Sequence, residues 1–355
     1  TEHSVTEDLV FRSRGDKAYR WLLGAFGFYR HGTMNAPVHF KQTGIEELIL
    51  KYANENDQSY RYSWGLKDGT GGDELFLRSD FRMPSAGGAL YHESNYTLGR
   101  WRFTAGLRFD FEHARLRYRN YTDTWYTKTH IKNETAYERP IDIDDRSTLK
   151  QTFTELLPKF SVMYSFDETR NLYLTIAKGY KSGGFNTQIF SDVLQQKMMN
   201  RMGIGEVYDV QRGVAYKPEY SWNYEIGGHF SCMEGAVRGD FALFYIDCRD
   251  QQLTVFPPGQ TTGRMMTNAG RTRSLGAEAA VQISPWRTFD INLAYGYTDA
   301  RFVRYETTVK NDDGDPVRIS YKDNRIPYAP QHTLSAGAAW TVPTGVKWLG
   351  DLVFQ

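Results

Sequence analysis

Long hydrophobic runs are missing from this sequence. The longest apolar stretch, Trp21 to Tyr29, covers about nine residues, half of the roughly 18 to 20 that a membrane helix needs, and mean hydropathy is −0.58. A helical membrane protein is excluded. Charge of one sign is also lacking: 43 Lys+Arg against 42 Asp+Glu give a net charge of +1. That excludes the broad basic field of a nucleic-acid binder or polybasic membrane anchor, and acidic tails as well. Two cysteines, with no C-x-x-C pair, exclude a disulfide scaffold and a zinc ribbon. Neither G-x-S-x-G nor H-E-x-x-H occurs, and Gly203-Ile204-Gly205 lacks the third glycine and the preceding strand of a dinucleotide fingerprint. The chain starts at Thr1 without an initiator Met, a charged n-region or an apolar h-region. It therefore reads as a mature or internal piece, and the missing targeting signal carries no weight.

What is abundant is aromatic. Tyr 24, Phe 21 and Trp 8 make up 15% of the chain. One membrane class stays open, because a β-barrel alternates lipid-facing and lumen-facing residues and averages to a polar composition. Trp101, Phe103, Ala105, Leu107, Phe109 and Phe111 alternate with polar or small residues, a period of 2 that predicts a strand with one dry and one wet face. Similar alternation recurs over 160–166, 172–176, 222–230, 237–245, 275–283, 289–297 and 334–340, with turns at 167–170, 232–235, 284–287 and 342–345. Weaker strands are expected near Glu7 to Arg12, at Tyr19 to Tyr29, near Ala89 to Leu98 and from Val346. These short turns alternate with long polar stretches, approximately 32–88, 113–152, 183–220, 250–269 and 303–330. Such a rule is foreign to a soluble sandwich but imposed by outer-membrane barrels, with short periplasmic turns and long extracellular loops. The fold class expected is all-β: a transmembrane antiparallel up-and-down barrel with about twelve strands in this chain. Trp101, Phe166, Trp222, Phe230, Trp286, Phe289, Trp340 and Trp348 are expected at strand ends beside the short turns, as an interfacial girdle.

The stretches 19–24, 104–109, Gly179-Tyr180-Lys181-Ser182-Gly183-Gly184-Phe185-Asn186, 217–227, Asn268-Ala269-Gly270-Arg271 to Gly276-Ala277-Glu278, and 327–332 together resemble the barrel domain of a TonB-dependent outer-membrane receptor. The resemblance spans nearly the whole chain. It implies a 22-strand barrel with an N-terminal plug in a Gram-negative outer membrane. It also implies active import without catalysis, driven by the TonB, ExbB and ExbD complex. A ferric siderophore is the first-ranked cargo, with haem, cobalamin or a glycan next. Neither a TonB box nor a plug is visible, and the closing strands are missing, so residues 1–355 are expected to form a partial barrel domain.

For ligand capture the second long stretch stands out. Tyr121, Trp125, Tyr126 and His130 lie there with Tyr118, Tyr137, Arg115, Arg117 and Arg119, a mixture suited to planar anionic iron chelates by stacking and cation–π contact. The alternative is that these residues pack the loop or meet lipopolysaccharide phosphates. Phe185 and Asn186 are further candidates at a loop base, where Gly183-Gly184 either admit close backbone approach or simply supply positive φ at a strand end. Glu225 and Glu278 are expected on wet faces, meeting plug arginines or lumen water. Asp142, Asp144, Asp145 and Asp312-Asp313-Gly314-Asp315 invite a calcium reading, but turn chemistry suits them better. Met198, Met199, Met202, Met265 and Met266 invite haem, yet His92, His113, His130 and His229 have no recognisable partner spacing. No metal or cofactor is expected. Cys232 and Cys248, at opposite ends of a predicted strand, should lie roughly 40 Å apart, too far for a disulfide.

Two rivals remain: a phospholipase-like barrel enzyme, which needs Ser beside His on the outer face, and a passive porin, which needs a closed barrel of its own.

Overall fold

The computed structural model describes residues 1–204, 214–255, 265–310, 316–346 and 350–354. Gly205, Asp312, Asp313, Gly314, Asp315 and Trp348 lie outside the described residues. The first nine strands are β1 (Glu2–Arg12), β2 (Tyr19–Asn35), β3 (Val38–Lys41), β4 (Tyr60–Trp64), β5 (Glu74–Leu98), β6 (Trp101–His130), β7 (Ala136–Ser165), β8 (Asn171–Lys181) and β9 (Gly184–Phe185). Then follow β10 (Ala215–Tyr216), β11 (Glu219–Cys232), β12 (Val237–Val255), β13 (Met265–Trp286), β14 (Phe289–Arg304), β15 (Glu306–Lys310), β16 (Pro316–Ser320), β17 (His332–Val342) and β18 (Leu352–Phe354). One antiparallel sheet runs β1-β2-β5-β6-β7-β8-β11-β12-β13-β14-β17-β18, with β3 against β5 and β4 against β6. These twelve strands on the main path match the twelve expected. Among the described residues β1 pairs only with β2 and β18 only with β17, so the first and last strands do not meet.

One face of this sheet is apolar and uncovered. Trp101, Leu107, Phe109 and Phe111 on β6 are each 45–48% exposed, and Leu90, Phe160, Leu174, Ile226 and Leu243 continue the band on neighbouring strands. A soluble protein rarely leaves so contiguous an apolar surface bare. From Trp101 to Phe111, at about 3.3 Å per residue and about 40° of tilt, the band stands ~25 Å tall, the height of a barrel's lipid belt. The opposite face is polar and internally paired. Arg108 grips Asp110 by a two-pronged bond (2.7 and 2.8 Å), Lys159 reaches Glu93 at 3.2 Å, and Ser161 meets Thr175 at 2.9 Å.

Above Phe111 the structure departs from the expectation of loops. Register between β6 and β7 runs unbroken from Trp101↔Tyr164 to Thr129↔Ala136, so the stretch 113–152 is mostly a continued hairpin. The alternation persists there but its polarity inverts. Leu116, Asn120, Tyr126, Ile141 and Ile143 are buried on the inner face, while Arg117, Arg146 and Lys150 are exposed on the outer one. Such an inversion is what a wall leaving lipid for water requires, with its apolar side turned inward toward other chain segments. The same cause extends β2 to Asn35 and starts β5 at Glu74, places the Phe190–Met202 helix within 183–220, and forms the β15–β16 hairpin within 303–330. Two interior cores result. Helical stretch 42–56, β4, the start of β5 and the Phe190–Met202 helix share Ile45, Ile49, Leu50, Trp64, Leu75, Leu194 and Met198. Beside them Phe81, Leu116, Ile189, Phe190 and Val214 form a second cluster.

The short turns follow local chemistry. In the 167–170 turn Asp167 accepts the Thr169 N–H at 2.9 Å and the Arg170 Nε–H at 2.7 Å, which holds its carboxyl well below the usual carboxylate range. Glu234 and Gly235 turn the chain with φ of 54° and 90°. Near Pro285 strand pairing continues to Trp286↔Phe289 after a register shift, so the reversal falls at Arg287 and Thr288, later than expected. Trp101, Phe166, Trp286 and Trp340 are 45–59% exposed at the short-turn rim. Trp222 is a correction: it pairs with Lys178 and Asp247, near the far end of β11, because β11 starts only at Glu219. Cys232 faces Val237 and Cys248 faces Ser221 at opposite ends of the β11–β12 ladder, and both are free thiols.

Candidate functional site

At the far end of β12–β14 the chain builds a cup. After the β15–β16 hairpin, residues 321–326 fold back on the end of β14: Tyr321 N–H bonds Tyr305 O at 2.9 Å, Asp323 N–H bonds Phe302 O at 2.8 Å, and Ile326 N–H bonds Ala300 O at 3.0 Å. Asp323 makes this return with φ of 65°, and Tyr328 follows with φ of 62°, fully exposed. The fold-back stacks Phe302 on Tyr305 at 5.2 Å and Tyr305 on Tyr321 at 5.4 Å, with ring planes about 30° apart. Arg304, Arg325 and Tyr328 line the same cavity of about 1140 Å³. Burial pushes the Tyr305 phenol up from its ordinary value. This cluster was not singled out in the sequence. Its signal is the aromatic content of 302–328, which only the fold-back gathers.

Three of the resemblance-bearing stretches meet beneath this cup. Asn186 donates to Met266 O at 2.8 Å and accepts from Met266 N–H at 2.7 Å. Asn268 accepts from Lys217 N–H at 2.8 Å and donates to Lys217 O at 2.9 Å and Asp250 O at 2.8 Å. Gln252 donates to Ser182 O at 2.8 Å and Lys217 O at 3.1 Å. The glycines here serve close approach. A Cβ on Gly183 would sit 2.4 Å from Tyr216 O, and one on Gly184 would sit 2.4 Å from the Tyr216 hydroxyl. Neither glycine has a positive φ. The neighbour they admit is Tyr216, a segment of this chain.

The candidate ligand residues of the second stretch do not converge. Tyr121 and Trp125 follow the odd-numbered outer face of β6; Tyr121 lies under Arg119 at 4.3 Å and Arg78 at 5.8 Å, and Trp125 is 41% exposed. Tyr126 is buried in the first interior core. His130 stands edge-on to Tyr60 at 5.2 Å and accepts the Lys132 N–H at 3.2 Å. Phe185 packs against the second interior core. Glu225 and Glu278 do share a space: both line a cavity of about 470 Å³ with Tyr173, Asp240 and Ser335. The Tyr173 hydroxyl donates to Glu225 at 2.8 Å.

The cation readings find no support in the geometry. Asp144 is claimed by Arg119 and Arg146 at 2.9 and 2.6 Å, which hold its carboxyl well below the usual range, and Asp145 is bonded to Lys197 at 2.6 Å. Both lie in β7, where ion pairing and strand, not a turn, account for them. Among the described residues no group of three His, Cys, Asp or Glu side chains is placed to hold a metal. Met198 and Met202 are core residues at 0% and 4% exposure, packed in the first interior cluster.

A family profile described as TonB dependent receptor-like, beta-barrel, matches residues 7–354. The chain belongs to the TonB-dependent receptor family. This receptor barrel is 26% identical over 197 residues to the pesticin receptor of Yersinia enterocolitica, covering 55% of the chain and 24% of that relative. The pesticin receptor of Yersinia pestis is 25% identical over the same length. Among solved structures it superposes on the ferric yersiniabactin uptake receptor of Yersinia pestis with a TM-score of 0.57, 16% identity, and coverage of 99% of this chain and 41% of that one. The siderophore receptor PiuA from Acinetobacter baumannii gives a TM-score of 0.57 at 14% identity, over 96% of this chain and 44% of that one. The chain thus spans less than half of each of these proteins, and the likeness to the two structures is one of fold. Among the described residues of this receptor chain the feature required by the enzyme rival occurs once in outline: His92 Nε2 lies 2.9 Å from Ser94 Oγ on the outer face of β5. The two sit on one strand, Ser94 also bonds Tyr19, and among the described residues nothing orients the other ring nitrogen of His92, so the dyad lacks its third member.

Proposed function

We propose that this barrel forms part of an outer-membrane receptor that imports a ferric siderophore-type chelate by TonB-dependent transport. The observation that carries the reading is the cup of Phe302, Tyr305 and Tyr321 rimmed by Arg304 and Arg325. Phe302 is buried behind the stack, so the partly open Tyr305 and Tyr321 rings are the faces that accept planar chelating groups, and guanidinium groups match their anionic oxygens. Membership in a receptor family, and relatives whose names include a siderophore receptor and a ferric yersiniabactin uptake receptor, support it. Glu225 and Glu278 then serve as lumen carboxylates facing the plug of the whole receptor, and the plug couples to TonB, ExbB and ExbD. Phe185 and Asn186 support the cup through the clip beneath it; Tyr121, Trp125, Tyr126 and His130 have supporting roles outside it.

The test is uptake of radiolabelled iron by cells whose only such receptor is the full-length protein, supplied with catecholate, hydroxamate and phenolate chelates in turn. Saturable uptake of one class that disappears on deletion supports the reading. Uptake unchanged on deletion for every class rejects it.

A further inference from the structure

The outer wall of the sheet changes character at one level. On β6 the outward residues end their apolar run at Phe111, and the next ones, two residues apart, are His113, Arg115 and Arg117. Cross-strand register sets Lys150 opposite Arg115 and Thr152 opposite His113 on one side, and Arg82 opposite Arg117 on the other. Directly opposed side chains start only about 5 Å apart, and like charges so placed repel. Arg82, Arg117 and Lys150 are exposed and Arg115 is half-buried, yet none of the four has an ion-pair partner among the described residues.

The neighbouring levels differ. One step higher, Arg119 and Arg146 share Asp144; on the inner face at the level of the apolar band, Arg108 has Asp110. This group of uncompensated cations thus begins at Arg115, roughly 13 Å along the strand above the last lipid-facing ring, with the His113–Thr152 level between. Its lower edge is pre-arranged: the Arg115 guanidinium donates to His113 at 2.9 Å, and His113 bonds Thr152 at 2.9 Å. An anion seated here would touch the patch while acyl chains attached to it ran down the band of Phe111, Phe109 and Leu107.

We propose that this patch on β5–β7 binds the phosphate groups of the lipid that surrounds the barrel in the outer leaflet. Two observations select a lipid over a free anion. The cations face outward, away from the cup and lumen, and only the polar His113–Thr152 level, bonded to Arg115, separates them from the apolar band. The proposal does not depend on the identity of the imported cargo.

The test uses the full-length receptor in detergent and three probes: bis-phosphorylated lipid A, the same lipid with its phosphates removed, and inorganic phosphate. Lipid A is expected to bind, with affinity falling as salt is raised from about 50 to 500 mM. Each basic residue near a charged lipid surface contributes about fivefold, so the triple variant R82Q/R117Q/K150Q should bind on the order of a hundredfold more weakly. Arg146→Gln, which removes a cation already paired with Asp144, should change little. Equal binding by the triple variant, equal binding of the dephosphorylated lipid, or mole-for-mole competition by phosphate would each overturn the proposal. Should the triple variant fail to fold, salt-independent binding of lipid A to the unaltered receptor would overturn it by itself.

Discussion

Lys197 Nζ lies 2.6 Å from Asp145 Oδ2, tying the Phe190–Met202 helix to the inner wall of β7. The same helix starts with Phe190, fully buried against Phe81 at 5.0 Å and Tyr118 at 4.6 Å. The half-exposed ion pair should contribute only about 0.2–1 kcal/mol, the ring about 3–5 kcal/mol. Phe190→Ala is therefore expected to abolish hydrogen-exchange protection across 190–202 while Lys197→Met lowers it slightly, with β11–β14 unchanged in both.

Asn186 is bonded twice to Met266, so its removal leaves a backbone N–H and C=O without partners. Asn186→Ala should destabilise the clip under the cup by about 1–3 kcal/mol. Faster exchange at the Met266 amide, with the lower halves of β11 and β12 unaffected, is the expected result.

The cup predicts a binding defect. Tyr305→Ala unstacks Phe302 and Tyr321 and removes one ring face from the chelate, worth about 0.5–1.5 kcal/mol, so KM for chelate uptake should rise by up to roughly tenfold at unchanged receptor abundance. Arg325→Gln should act in the same direction, and Trp125→Ala, outside the cup, should leave KM unchanged.

Acid should loosen β4 before the barrel. Asp57 accepts N–H groups of Ser59 and Tyr60 and the Tyr62 hydroxyl at 2.9, 3.1 and 2.8 Å, and these bonds, that from Ser59 most, lower its carboxyl from the ordinary value. A depressed folded pKa gives stability that is fully present above the unfolded value of about 4 and is lost as pH falls through the folded one. Exchange at Ser59 and Tyr60 amides should rise below about pH 4, and Asp57→Asn, which keeps one acceptor, should shrink that pH dependence.

The two thiols should differ in reactivity. Cys232 is exposed at the short-turn rim and Cys248 is 7% exposed, so a maleimide is expected to label Cys232 in the folded barrel and Cys248 only after denaturation.

The lower halves of the strands were legible because lipid demands a fixed outward apolar set: the alternation from Trp101 to Phe111 needs no knowledge of neighbours. The continuation of β6 and β7 was not, since Leu116, Tyr118 and Tyr126 carry their apolar side inward and the outward positions turn basic. Read without the inversion, that stretch is a polar loop with aromatics, and Tyr121, Trp125, Tyr126 and His130 look like one cluster. Adjacent residues on a strand face opposite ways, so Trp125 and Tyr126 never share a site.

By itself the sequence determined the strand period, most of the short turns, the antiparallel barrel class and the separation of the two cysteines, all consequences of local backbone geometry and of a solvent that changes from lipid to water. Tertiary structure decided which long segments fold inward, where Asn186, Asn268 and Gln252 find their partners, and how Phe302, Tyr305 and Tyr321 come to stack. Apart from the neighbouring Phe302 and Tyr305, those contacts join residues from 16 to 80 positions apart along the chain, and no periodicity along one strand encodes a meeting between segments that only the folded sheet brings side by side.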